Sequence, residues 1–249
     1  MNLSIGACSL FVSAAILAGC ATTPVLEQRL GQALPSDASA SYDAVSDTVM
    51  LSKGGASVVL QYSIPVGESA YFVKQGGGGL LYKSTVSGKG RVFSFASADT
   101  SLGIVGAIAS RDAEVTVPAN GTAKFNGGYE GLLVRASDKM QVQFVEGTTC
   151  LTADFGASSI GGGIINRSNA GADVIIPSTP LTPDGVFSGV ATGGANPGET
   201  ASNGRVSGMF ADVSGGEIVG ALQLNHSISG NDFYEVGGFT TVAGAGPCP

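Results

Sequence analysis

The sequence predicts an all-β protein: an antiparallel, eight-stranded up-and-down β-barrel preceded by a smaller β-rich region. Three observations carry that prediction. First, only 12% of the 249 residues are charged while 39 are glycine, a turn-dense, small-residue profile with about half the usual share of charge. A disordered chain would be more charged and less apolar. Second, residues 122–133 alternate with period two: Ala123, Phe125, Gly127, Tyr129, Gly131 and Leu133 share one face, and Thr122, Lys124, Asn126, Gly128 and Glu130 the other. Third, two glycines, Gly127 and Gly131, fall on the apolar face. Glycine inside a strand marks tight curvature or close backbone approach, as at the corners of a small barrel.

Taken in order, the candidate barrel strands are 102–110, 122–135, 140–154, 159–166, 172–176, 185–192, 204–211 and 217–228, with 234–243 as a ninth run. An eight-stranded barrel requires that one of these be an extension, a bulged continuation or an element of the preceding region. Pro118-Ala119-Asn120-Gly121 is a turn signal that opens the first long strand, and Ser137-Asp138-Lys139 turns it back. Gly147-Thr148-Thr149 reads as an interruption before Leu151, Ala153 and Phe155 resume the alternation. The run before Pro177 is short, and Thr192–Asn203 (TGGANPGETASN) reads as a long polar surface loop. Closure of such a meander removes the exposed edges it would otherwise carry.

Between residues 47 and 101 lie five short β-like runs, TVMLS, ASVVLQYSI, SAYFVK, LLYKSTVS and RVFSFAS, separated by glycine- and proline-bearing turns. Residues 20–46, rich in Ala, Ser, Thr, Pro and Asp, read as a flexible tether. Residues 1–19 read as an export signal: Leu3 to Cys20 is uncharged, and Leu17-Ala18-Gly19-Cys20 places small residues directly before a cysteine. This resembles the bacterial lipobox, in which Cys20 would be lipidated with palmitate-type acyl chains and become the first mature residue. The n-region departs from the pattern, since Met1–Ser4 holds no lysine or arginine. An ordinary secretory signal with an incidental cysteine is the alternative. Ala21 is not the aspartate that retains lipoproteins in the inner membrane, so the expected location is the outer membrane. Beyond Cys8 and Cys20 only Cys150 and Cys248 remain, a single pair expected to form a disulfide in an oxidising compartment.

Residues 118–165 carry a family resemblance. Pro118, Gly121, Thr122, Ala123, Phe125, Gly128, Tyr129 and Gly131, then Leu151, Asp154, Phe155 and Gly156 with the glycine-rich run after them, resemble the β-barrel domain of transferrin-binding-protein-like surface lipoproteins. That group includes the lobes of transferrin-binding protein B and the barrel of factor H binding protein. The resemblance implies that 102–249 is such a barrel, that 47–101 stands where these proteins carry a smaller handle domain, and that loops bind the partner. Relatives carry a Gly-Pro turn near the C-terminus; here Asp212–Gly216 stands in its place. The partner-contacting loops of the family have no counterpart in this chain, so no ligand-binding residue is carried over.

Enzymatic signatures are missing. The one histidine, His226, lies on the apolar face of EIVGALQLNHSI, where a hydrogen-bonded barrel residue is the plain reading; no second histidine or free thiolate accompanies it for a zinc site. Asp154-Phe155-Gly156 matches the kinase magnesium tripeptide in letters only, and neither a phosphate loop nor a nucleophile elbow is present. No catalytic residue, metal or cofactor is expected. A net charge of −7 without a basic cluster speaks against nucleic acid. The expected partners are the membrane, through the N-terminal lipid, and a host protein, an envelope protein, an outer-membrane receptor or a solute bound through loops. A structural envelope lipoprotein, or a carrier of one small ligand inside the barrel, are the alternatives.

Overall fold

The computed structural model describes residues 26–29, 38–43, 45–46, 48–61, 79–84, 89–97, 103–111, 114–193, 199–212, 214–244, 246 and 248. Every regular element among them is a strand. The N-terminal part holds β1 (Leu26–Arg29), β2 (Ala38–Asp43), β3 (Thr48–Lys53), β4 (Ala56–Gln61), β5 (Gly79–Ser84), β6 (Gly90–Ser97) and β7 (Val105–Arg111). The remainder holds β8 (Thr122–Arg135), β9 (Asp138–Asp154), β10 (Ser159–Ile165), β11 (Val174–Pro180), β12 (Val186–Gly193), β13 (Glu199–Phe210), β14 (Glu217–Ile228) and β15 (Asn231–Ala243). Strands β8 to β15 pair consecutively and antiparallel, and β15 closes on β8, giving an eight-stranded up-and-down barrel. Two smaller sheets accompany it, β1-β7-β6-β5 and β2-β3-β4.

The alternation in β8 sets which side chains fill the barrel. Phe125, Tyr129 and Leu133 point into the core with Leu151, Phe187, Phe210, Leu222 and Phe239, and each buried Phe or Leu stabilises by about 1.5–3 kcal/mol. Large side chains face glycines on neighbouring strands. Phe187 lies across Gly208, Phe239 across Gly220 and Tyr129 across Gly237, in each case with a ring atom within 2.4 Å of where a Cβ would stand. Gly127 answers a different need: a Cβ there would sit 2.0 Å from the Thr240 carbonyl oxygen of β15. Close backbone approach at the β8–β15 closure therefore demands glycine.

Strand β7 is buried along its whole length because it has a partner on each face. Toward the barrel, Val105 and Ala107 pack on Leu132, Val134, Ala221 and Val236, while Ala109 and Val92 pack on Met209, Ala211 and Val219. Toward the three-stranded sheet, Ile104, Ile108, Phe93 and Phe95 pack on Ala40, Tyr42, Val49 and Leu51. Gly238 admits this stacking, since Val92 occupies the place of its missing side chain. At the end of β7 the buried Arg111 donates from Nη1 to the carbonyl oxygens of Asp184 (2.8 Å) and Phe210 (3.0 Å). Burial pulls the guanidinium pKa down while Asp184 and Glu114 act to raise it. A second tie is exposed: Lys89 Nζ meets Asp212 Oδ1 at 2.8 Å, and this hydrogen bond, with a further one from Ser214, lowers the Asp212 pKa to about 2.

Several boundaries read from the sequence are corrected. The run at 102–110 is β7, which pairs with β6 and β1, so the barrel strands start at Thr122 and not at residue 102. Burial on both faces erases the alternation that would have told the two sheets apart. The stretch 20–46 is not tether throughout, since it contributes β1 and β2; small alanines and serines in β2 give too weak a contrast for period two to stand out. Strand β9 runs unbroken through Gly147–Thr149. Strand β11 continues through Pro177 to Pro180: a bulge opposite Gly161 absorbs Pro177 and Ser178, where register shifts between Ile160 and Gly162, and a bulge is where a strand tolerates proline. Strands β12 and β13 extend into the expected 192–203 loop, leaving 194–198 between them. The SAYFVK run, the export signal and Cys20 lie outside the described residues.

Candidate functional site

An up-and-down barrel has two ends. One is formed by the turns at 155–158, 181–185 and 211–216. Arg111 reaches it from β7, and inside it Phe210 packs edge-on against Phe125 and tilted against Phe155. The other end is formed, among the described residues, by the connections at 136–137, 166–173 and 229–230, and a buried polar cluster lies beneath it.

Glu235 of β15 is the centre of that cluster and is fully buried. Its Oε1 accepts from the Tyr129 hydroxyl at 2.7 Å. Its Oε2 meets His226 Nε2 at 2.6 Å and also receives Arg167 Nη2. The Arg167 side chain is itself wholly buried; Gly147, whose Cβ would lie 3.2 Å from Arg167 Cγ, leaves room for its stem. Burial first, and the Glu235 carboxylate second, push the Tyr129 phenol well above its ordinary pKa, so it serves as a neutral hydrogen-bond donor. His226 is a hydrogen-bonded barrel residue, the reading its strand position implied.

Through Arg167 the cluster holds the β10–β11 connection. This segment bends by left-handed turns at Asn166 (φ 54°), Asn169 (φ 59°) and Gly171 (φ 79°), residue types that tolerate that region best. Ser168 exchanges hydrogen bonds with the Glu146 backbone, Asn169 Nδ2 donates to Phe144 O, and Asp173 Oδ1 accepts from Asn166 N. Ala170 is buried in the barrel core. The connection is thus a cap fixed over the barrel end, with an ion pair as its root.

The barrel interior is filled by side chains. The space beside Gly131 is taken by the Tyr129 hydroxyl, 2.8 Å from where a Cβ would stand. Gly127 is closed off by the β15 backbone, as described above. Neither inward glycine leaves open space beside it. Asp154-Phe155-Gly156 is structural: Asp154 Oδ1 accepts from Ala157 N within the β9–β10 turn. Cys150, on the outer face of β9, is joined by a disulfide to Cys248, with the Cα atoms 5.5 Å apart. Among the described residues no group of three His, Cys, Asp or Glu gathers to hold a metal ion.

Sequence reasoning placed His226 and Tyr129 on inward faces but passed over Glu235 and Arg167. Glu235 was visible in principle: it alternates with Phe233, Gly237 and Phe239, an acidic residue on the apolar side of a strand, which needs a buried partner. Arg167 gave no signal, because its burial depends on how a loop folds.

On the outer wall the Glu130 carboxylate is perturbed. Glu130 and Glu146 are directly opposite in the β8–β9 register, and burial first, then Glu146, raise the Glu130 pKa. A raised carboxylate pKa favours the fold below the ordinary value near 4.5 and loses that contribution as pH rises through the folded-state value. Glu130→Gln should therefore stabilise the protein at pH 7 by about 0.2–1 kcal/mol and give no gain at pH 3. Urea titrations at the two pH values check this; equal effects at both would contradict it.

No family model and no curated protein sequence matches the chain. Solved structures match in shape. Isotype 1 transferrin binding protein B from serogroup B Neisseria meningitidis superposes with a TM-score of 0.54 at 16% identity, over 89% of this chain and 43% of that one. The haemoglobin receptor HpuA from Kingella denitrificans gives 0.48 at 13% identity, over 87% of each chain. Intact Ap-TbpB, with both lobes, gives 0.46 at 13% identity, over 84% of this chain and 46% of that one. The chain spans less than half the length of these two transferrin binding proteins. At these identities the likeness is one of fold.

Proposed function

We propose that this chain is a lipid-anchored, non-catalytic protein of the outer membrane, displayed at the cell surface, whose barrel-end loops bind a protein partner. The observation that carries the proposal is the shared fold. Barrel and accompanying small sheets together follow transferrin binding protein B over 89% of the chain, a protein whose name states a protein ligand. Loops on a rigid scaffold are the usual place for such binding. In this reading residues 1–19 are the signal, Cys20 carries the lipid, and the N-terminal sheets act as the handle. The resemblance to the factor H binding protein barrel rests on residues 118–156 alone. The partner is a host protein; transferrin and haemoglobin, named by the neighbours, are the first purified probes.

The test is run on cells carrying the full chain. Radiolabelled palmitate should enter the wild type and not Cys20→Ser, and protease added outside intact cells should remove the wild-type protein. Immobilised protein from Ala21 onward should retain transferrin, haemoglobin or another identified serum protein, and replacing residues 194–198 with a Gly/Ser linker should weaken that retention. Label in Cys20→Ser overturns the anchor. Protection from protease, with no serum protein retained, overturns the surface-binding reading in favour of a structural envelope lipoprotein.

A further inference from the structure

A groove of about 550 Å³ crosses the outer wall of the barrel over β8, β9, β10 and β11. Its volume falls in the range of ligand-binding clefts. The fold itself keeps its floor bare. A Cβ on Gly162 would strike the Cys150 carbonyl oxygen at 2.0 Å, and one on Gly163 the Val174 carbonyl oxygen at 2.4 Å, so the barrel wall is naked backbone there. The Cys150–Cys248 disulfide forms one flank, and Ile165 and Ile175 supply apolar surface, with Ile175 59% exposed. The ends of the groove are charged and opposite. Lys124 stands on β8, and no described residue pairs with its ammonium group. Asp173 stands at the β11 end, with one carboxylate oxygen accepting from Asn166 N.

We propose that this groove binds an extended peptide segment that is apolar in its middle, with an acidic group at one end to meet Lys124 and a basic group at the other to meet Asp173. From β8 to β11 is three interstrand spacings, about 14 Å, which an extended chain covers in about four residues. A fatty acid would satisfy Lys124, but its apolar tail would end against the Asp173 carboxylate. The two charged ends therefore select the peptide. The groove meets the barrel-end loops only at Ala172 and Asp173, and its test substitutes Lys124 and Ile175, both on strands, so that it reads the wall and not the loop-borne binding proposed above.

The probes are fluorescein-labelled, end-blocked hexapeptides with a common Leu-Ala-Leu-Ala centre, measured by fluorescence anisotropy against the folded protein. One set is flanked by glutamate and lysine in both orders, one by two lysines and one by two glutamates; decanoate is the competitor. The better of the two mixed orders should bind about fivefold more tightly than either like-charged peptide, the size of one exposed ion pair. Lys124→Glu should transfer the preference to the two-lysine peptide, and Ile175→Glu should abolish binding, both without loss of the β-sheet circular dichroism signal. Equal binding of all the peptides, binding that survives Ile175→Glu, or displacement by decanoate at lower concentration than by unlabelled peptide would each overturn the proposal.

Discussion

Glu235→Ala is expected to destabilise the barrel by about 3–5 kcal/mol, the cost of leaving a buried charge without its partner. The carboxylate is fully buried and receives three donors, from Tyr129, Arg167 and His226. Alanine removes all of them at once. The greatest damage falls on Arg167, which loses its countercharge and whose Nε already lacks a partner among the described residues. The charge must then stay buried alone or leave the barrel, and leaving drags the 166–173 connection with it, since Arg167 is that connection's root and Ala170 its apolar plug. Glu235→Gln keeps hydrogen-bonding capacity and loses the countercharge, so it should fall between alanine and wild type. Arg167→Met combined with Glu235→Leu should recover part of the loss by removing both charges, though Tyr129 and His226 would still lack an acceptor. Urea denaturation of the four proteins measures the energies, and hydrogen exchange at 166–173 locates them. An alanine variant within 1 kcal/mol of wild type, or a double variant no better than Glu235→Ala, would show that the cluster does not anchor the cap.

The strands that face solvent on one side were the ones legible in the sequence. In β8 the contrast between Phe125 and Tyr129 and the polar residues around them places those two rings in the core, because a half-buried stretch of strand must alternate. The contrast fades at 131–134, where both faces are buried. Where burial or pairing departs from that rule, the sequence loses its meaning. Strand β7, covered on both faces, reads Val-Gly-Ala-Ile-Ala-Ser and carries no mark of which sheet it joins. Strand β11 looks terminated by Pro177, because the glycine opposite it that makes a bulge possible is sixteen residues upstream, at 161. The polar cluster was half legible: His226 and Tyr129 sit on predicted inward faces, but the carboxylate that unites them comes from β15 and the arginine from a loop. Their meeting follows from the barrel register, in which Leu224 pairs with Glu235 and Gly237 with Gly131, and register is not written in any one strand.

Removing the Cys150–Cys248 bond should be the second large effect. The cysteines are 98 residues apart in sequence, and a cross-link closing a loop of that length restricts the unfolded chain by about 4–5 kcal/mol on the chain-entropy model, with measured losses of about 2–5 kcal/mol. The native structure loses little when the bond goes. The β8–β15 ladder already closes the barrel, and the tail beyond β15 keeps its own contacts, with Gly244 N donating to Lys124 O and Asn126 Nδ2 donating to Gly244 O, each at 3.1 Å. The stabilisation therefore resides in the unfolded state, which gives the prediction a distinctive form. Cys150→Ala/Cys248→Ala and reduced wild type should show the same circular dichroism as oxidised wild type, yet unfold at clearly lower urea concentration, by matching amounts. Protein exported to the periplasm should have a non-reduced mass two hydrogens lighter than the dithiol. Free thiols in that material would refute the bond, and a double variant as stable as oxidised wild type would refute its role as the lock between the C-terminal tail and β9.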